Sequence, residues 1–225
     1  MDDDVVRRAP LFAALDDDSA GALQTSMSRV TVRRGDVVFA EGDRGDRLYV
    51  VTEGKVKLGR SATDGRENLL AILGPGEMFG ELSVFDPGAR TSTATALTEG
   101  VLLGLGQRDL RAWLAGRPEV AEELLGALAR RLRRTNEAMA DLVFSDVPGR
   151  VAKALLDLSE KFGTEQEDGV LVAHDLTQEE LAQLVGASRE TVNKALADFA
   201  QRGWLQIEPR AVVLLDVDRL SRRAR

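Results

Sequence analysis

Cysteine is absent from this 225-residue chain, and histidine occurs once, at His174. The first absence removes disulfides, iron–sulfur clusters and thiol nucleophiles together, since each is built on a cysteine sulfur. The second leaves no Cys–His dyad and no multi-histidine centre, so hydrolase and metalloenzyme chemistry loses most of its usual parts. His174, ahead of Asp175, Leu176 and Thr177, reads as a loop residue rather than a ligand. No apolar run approaches the ~20 residues of a membrane span, and the opening MDDDVVRRAP is acidic where a signal peptide is basic. We therefore expect a cytoplasmic protein that makes no use of a membrane, a metal, haem or an iron–sulfur cluster. Positive charge is also in short supply. The net charge of −7 argues against indiscriminate adhesion to nucleic acid or to an anionic surface. It does not exclude DNA recognition, which depends on a local patch. From Val147 onward the balance is 11 basic to 13 acidic residues, so that part is only slightly acidic.

What is present divides by period. From Thr31 to about Leu105, short apolar or alternating runs such as DVVFA, RLYVVT, KVKLGR and ENLLAIL alternate with turn signals. Those signals include Glu41-Gly42-Asp43, Glu53-Gly54, Asp64-Gly65 and Gly74-Pro75-Gly76. Strands this short and regularly spaced predict a sandwich, barrel or roll. A small leading helix is expected over Ser19 to Arg29, from Leu23 and Met27. Near the end of the β region, GELSVFDPGARTST carries a turn at Asp86-Pro87-Gly88 between Glu81 and Arg90. By itself that is a turn, or a turn that brings an acid and a cation to one ligand.

After Asp109 the period becomes helical. Leu125, Leu128, Leu132, Thr135, Met139 and Leu142 recur with gaps of 3, 4, 3, 4 and 3, a heptad seam. Its apolar stripe is narrow, which favours pairing with a second copy of the chain over packing on the β domain. Thr135 interrupts the stripe, with Asn136 beside it. Polar seam residues can fix register and oligomeric state. They can equally face a polar ligand held where two helices meet, with Arg131 one turn away.

Pro148 and Gly149 in DVPGR stop the helix and mark the expected domain boundary and hinge. An amphipathic helix follows, with Val151, Leu155, Leu158 and Phe162 on one face. The strongest local signal is TQEELAQLVGASRETVNKALADFAQRGWL. Thr177 and Glu180 form a capping box, Gly186 supplies a left-handed turn, and Ser188 caps a second helix from Arg189. This is a helix-turn-helix, and Arg189, Glu190, Thr191, Asn193 and Lys194 are the polar residues expected to face outward. Arg189 has the fork for guanine O6 and N7, Glu190 can accept from cytosine N4, and Lys194 can reach a guanine or a phosphate. The tail WLQIEPRAVVLLDVDRL predicts a strand hairpin, hence a winged helix-turn-helix, and the final SRRAR reads as a solvated terminus.

Taken together, the punctuated β region, FGELSVF with ARTST, the long helix RRLRRTNEAMADLVFSDVPGRVA and VGASRETVNKAL resemble the CRP/FNR superfamily of bacterial transcription regulators, in its cyclic-AMP-binding branch. The resemblance covers nearly the whole chain. It implies an α+β protein with a jelly-roll-like cyclic-nucleotide-binding β-roll over residues 1–109, a long dimerisation helix over 110–145 and a winged helix-turn-helix over 146–225. It further implies a homodimer that is not an enzyme, binds cAMP as an allosteric ligand, recognises double-stranded DNA with TGTGA-like half-sites and works with RNA polymerase.

On that reading Glu81 meets the ribose 2′-hydroxyl. Arg90 pairs with the cyclic phosphate, helped by Thr91 and the backbone of Gly80, Glu81 and Leu82. Thr135 and Asn136 meet the adenine from the two subunits, Arg131 lies on the phosphate or ribose side, and Leu70 and Leu73 line the purine. Glu81 can also hold Arg90 in place before ligand arrives. The DNA surface comprises Thr177, Gln178, Ser188, Arg189, Glu190, Thr191, Asn193 and Lys194. Three departures from the family pattern stand out. The interval from Glu81 to Arg90 is one residue shorter, Gln178 replaces a basic residue found in some members, and Lys194 stands where arginine also occurs. A regulator of the same family that is constitutive or weakly ligand-dependent is the alternative.

Overall fold

In the computed structural model, which describes all residues except 1–4, 6, 63, 64, 66 and 225, the punctuated runs become eight strands, and the chain divides into two compact units, of which the first carries all of these strands but the opening residues of the fifth. That unit comprises Met1–Ala62 and Leu70–Arg133; the second comprises Thr63–Leu69 and Arg134–Arg225. The acidic opening, Asp64 of the Asp64-Gly65 turn and Arg225 of SRRAR lie wholly or partly outside the described residues.

The strands are β1 (Ser28–Val32), β2 (Val37–Phe39), β3 (Arg47–Glu53), β4 (Val56–Ser61), β5 (Glu67–Leu73), β6 (Met78–Phe79), β7 (Thr93–Ala96) and β8 (Gly100–Gly106). They form two four-stranded sheets, ordered β1-β8-β3-β6 and β2-β7-β4-β5. The period of 2 explains the burial. In β3, Tyr49 and Val51 turn to a core shared with Phe39, Leu58 and Phe79, while Leu48 and Val50 turn to a second core with Phe12, Leu23 and Leu110. A strand buried on both faces needs such an unbroken apolar run.

Helix α1 (Asp17–Thr25) begins at Asp16, whose carboxylate accepts from the Ser19 amide at 2.8 Å. It stops four residues before the expected end, because Ser28–Val32 pairs along β8 instead. A short helix α2 (Leu82–Phe85) occupies the centre of the Glu81-to-Arg90 segment. After α3 (Gln107–Leu114), the long helix α4 runs unbroken over Pro118–Phe144. Val120 and Leu124 of its first turns complete the second core. Beyond them the stripe is bare: Leu125, Leu132, Met139 and Leu142 are 54–66% exposed.

The second unit starts within α4. Helix α5 (Val147–Phe162) buries Val151, Leu155 and Leu158, as its pattern predicts. Strands β9 (Gly163–Gln166) and β10 (Gly169–Val172) follow, then α6 (Gln178–Val185), α7 (Arg189–Gln201), β11 (Leu205–Glu208), β12 (Ala211–Leu214) and α8 (Val217–Arg223). The sheet order is β11-β12-β10-β9, so the expected hairpin is part of a four-stranded wing. Strand β9 escaped the pattern reading because it is a fully exposed edge, held by main-chain pairing to β10 rather than by burial. The terminal SRRAR is also not simply solvated. Ser221 to Arg223 belong to α8, which is anchored by the fully buried Leu220.

Candidate functional site

Two sites emerge, one in each unit. In the first, Gly80, Glu81, Leu82, Arg90, Thr91 and Arg131 line one small cavity, together with Phe39, Leu58, Ser83 and Ser92. Arg90 is only 4% exposed. Its Nη1 donates to the Gly80 carbonyl and its Nη2 to the Arg47 carbonyl, both at 2.8 Å. The guanidinium lies over the Phe39 ring, 4.0 Å from its centroid. Two carbonyls and an aromatic face orient the cation without neutralising it. Burial pulls the Arg90 pKa below its ordinary value, the expected sign for a desolvated cation.

Gly80 is what permits this approach. Its φ is +77°, and a Cβ there would lie 2.7 Å from Arg90 Nη1. A side chain would meet both backbone strain and the guanidinium.

Glu81 is 1% exposed, and its partner is Arg131, whose Nη1 donates to Oε1 at 2.8 Å. This corrects one expectation: the acid is held by the long helix and does not hold Arg90, which leans on main-chain oxygens instead. Two buried atoms in the cavity wall have no hydrogen-bond partner, Glu81 Oε2 and Arg90 Nε. The cavity holds ≈ 20 Å³, room for about one water and far short of the ~300 Å³ at which ordinary ligand pockets begin.

Leu70 and Leu73 do not line this small cavity. Alternation along β5 turns Leu73 into the core beside Phe79 and leaves Leu70 on the other face, 50% exposed. Thr135 and Asn136 lie exposed on α4, in the second unit. Phe39, Leu58, Ser83 and Ser92 join the wall without being among the expected site residues. No local motif announces Phe39, since its contact with Arg90 spans half the β domain.

In the second unit the helix-turn-helix has the expected caps. The Thr177 hydroxyl accepts from the Glu180 amide at 3.1 Å, and Glu180 Oε2 accepts from the Thr177 amide at 2.7 Å. Gly186 adopts φ +69°. Ser188 Oγ accepts from the Thr191 amide at 3.2 Å and lies 2.9 Å from Thr191 Oγ1, so these two side chains first of all build the helix start. Gln178, Arg189, Glu190, Thr191 and Lys194 are exposed. Glu190 and Lys194 are paired at 2.6 Å across one helical turn.

Asn193 departs from expectation. It is half-buried, and its Oδ1 is enclosed without a partner, because position 193 follows the buried Val192 around the edge of the helix's inner face. The lone His174 sits buried in the loop before α6, where its Nδ1 accepts from the Leu176 amide at 3.1 Å. Among the described residues no group of three or more acidic, histidine or cysteine side chains is placed to hold a metal. None of the described helices is long and apolar enough to cross a membrane.

Comparison with known proteins identifies two domain families in the chain. Residues 29–117 match the cyclic nucleotide-binding domain family, and residues 149–223 match the Crp-like helix-turn-helix domain family. A Mycobacterium tuberculosis protein named CRP-like cAMP-activated global transcriptional regulator is 58% identical over 223 residues, 99% of this chain and 100% of its own length. A Thermus thermophilus cyclic AMP receptor protein is 37% identical over 207 residues, 92% of this chain and 93% of its own. Among solved structures, the c-di-GMP responsive global regulator CLP of Xanthomonas campestris superposes with a TM-score of 0.77 at 27% identity, covering 88% of this chain and 99% of that one. None of these names is that of an enzyme, and this chain itself joins a cyclic nucleotide-binding domain to a Crp-like helix-turn-helix domain. The chain belongs to the CRP/FNR superfamily of bacterial transcription regulators.

Proposed function

We propose that the protein is a homodimeric, cAMP-responsive global regulator of transcription that binds palindromic operator DNA in the cytoplasm. The observation that carries this reading is the pair of orphaned buried atoms, Arg90 Nε and Glu81 Oε2, in one cavity wall. Buried polar groups are nearly always satisfied, so two of opposite charge in one place call for a ligand with a matching anion and donor. A cyclic phosphodiester supplies one negative charge for Arg90. Its ribose 2′-hydroxyl supplies a donor for Glu81. The backbone of Gly80 to Leu82 and the Thr91 hydroxyl complete the phosphate side, and Thr135 and Asn136 meet the base.

The bare seam on α4 supports self-association. Leu132 and Met139, each 62% exposed, are large apolar side chains at heptad positions. Ligand that touches both the β-roll and the paired helices favours one arrangement of the dimer and shifts the population toward it. The two copies of α7 then stand about one DNA turn apart, ~34 Å, to read TGTGA-like half-sites through Arg189, Glu190 and Lys194. RNA polymerase is the partner such a regulator requires. Because the cavity measures only ≈ 20 Å³, ligand entry has to displace the Arg131 side of the wall.

Operator binding titrated with and without cAMP tests this reading. Tighter binding with cAMP supports it, and an identical affinity overturns it in favour of a constitutive regulator. A second reading draws on the Xanthomonas campestris relative, which responds to c-di-GMP. A c-di-GMP arm in the same titration separates the two, since only one of the ligands should change operator affinity.

A further inference from the structure

The DVPGR segment has the composition of a flexible hinge, yet the side chains around it make a clamp. Arg150, half-buried on the first turn of α5, spreads its guanidinium over three carbonyls. Nη1 donates to Ser145 at 2.7 Å, Nε to Val185 at 3.1 Å and Nη2 to Gly186 at 3.4 Å. The first lies just past the end of α4, and the other two lie at the end of α6. These are the carbonyls a helix C-terminus leaves unsatisfied, so one cation caps two helices and joins them. Lys153 reaches back from α5 to an ion pair with Asp141 of α4. A Cβ on Gly186 would lie 3.0 Å from Leu142 Cδ2 of α4.

The C-terminal helix closes the arrangement from the other side. Asp146 caps α5 by accepting from the Gly149 amide at 2.9 Å, and its second oxygen accepts from Arg223 of α8 at 2.6 Å. That bond from Arg223, with the cap, holds the Asp146 carboxyl below its ordinary range. Gly149 is buried, and a Cβ there would lie 3.2 Å from the Arg223 carbonyl. Leu220 is fully buried and fixes α8 in place.

We propose that Arg150 and α8, through Arg223, are positioning elements for DNA recognition. They lock the last turns of α4 to the α6–α7 turn, so that a movement of the long helix is delivered to the reading helix instead of being absorbed at Pro148-Gly149. The delivery rests on the cAMP-responsive reading above, whereas the clamp itself does not.

The test uses full-length Arg150→Met, which keeps an apolar stem but has no donors, with Arg150→Lys and Arg223→Ala alongside. Circular dichroism and a cooperative melt establish that each variant folds. Two quantities are then measured: hydrogen exchange of amides over residues 145–150 and 186–188, and the ratio of operator Kd without cAMP to that with it. Arg150→Met should exchange faster at both segments and lose about tenfold in the ratio. Arg223→Ala should lose less, and Arg150→Lys, which has no fork, should fall between wild type and Arg150→Met. Unchanged exchange in Arg150→Met overturns the clamp, and faster exchange with an unchanged ratio overturns its positioning role. If the wild-type ratio is itself one, the cAMP reading fails instead, and the clamp is judged on exchange alone.

Discussion

Arg90 and Arg189 show two ways of preparing an arginine for an anionic partner. Arg90 is buried, aimed by the Gly80 and Arg47 carbonyls and backed by Phe39. Arg189 is exposed on the first turn of a helix whose start is fixed by Ser188 and whose approach is fixed by Gly186. In the first case protein atoms have already displaced solvent, so the cation is costly to keep and strongly rewarded when a matching anion arrives. In the second the side chain stays hydrated, and it is the backbone that is prepared. On the proposed function, the buried site would serve switching and the exposed one reading, because only the buried site would have to rearrange internally, at Glu81 and Arg131, to accept a ligand.

The sharpest way to break this comparison is to remove the buried cation. Arg90→Ala should weaken cAMP binding by about 2–5 kcal/mol, the usual cost of losing one member of a buried charge pair. Calorimetry measures this, and operator binding without nucleotide should be spared. Retention of a wild-type cAMP response would detach Arg90 from the ligand altogether. Next in size is Arg189→Ala, expected to cost about 1–3 kcal/mol of operator affinity and to relax preference at one base pair. Binding assays against single-position operator variants read this out. Nucleotide affinity in the absence of DNA should stay as in wild type, since the exposed arginine takes no part in the cavity.

The same contrast governs what could be foreseen from residues alone. The capping box of Thr177 and Glu180 and the turn at Gly186 are local patterns with fixed offsets, and each has its expected geometry in the structure, while the seam residues share one continuous helix. Glu81 and Arg131 stand fifty residues apart, so their pairing required knowing how α4 lies on the β domain. Leu70 and Leu73 fall on opposite faces of β5, a parity that their shared apolar character does not reveal, and one step along the strand separates a core side chain from an exposed one. Strand β9 has no apolar signal because its stability is main-chain pairing. SRRAR reads as a solvated tail because Leu220, which anchors the helix that Ser221 to Arg223 continue, lies just before it.

A smaller effect probes how far the exposed site depends on backbone rather than side chains. Gly186→Ala forces a left-handed φ on a residue with a Cβ, at about 1–2 kcal/mol. The new methyl also points at Leu142, 3.0 Å away. Thermal denaturation should show a lower midpoint for the DNA-binding unit, with cAMP binding retained. An unchanged midpoint would mean that the turn relaxes freely and that Leu142 does not constrain it.

The smallest expected change concerns Lys194. In the free protein it is already paired with Glu190 at 2.6 Å, and both side chains are about three-quarters exposed. Such a surface pair is worth little, so breaking it to let Lys194 meet a phosphate and Glu190 a base is nearly neutral. Lys194→Ala should therefore lower operator affinity by less than about 1 kcal/mol. Its clearer signature is ionic: one phosphate contact fewer makes the plot of log affinity against log salt shallower by about one unit. A slope equal to wild type would mean that Lys194 stays with Glu190 in the complex. Lys194→Arg sharpens the result, because a forked cation can replace the point charge at a guanine and raise discrimination there without changing the salt slope.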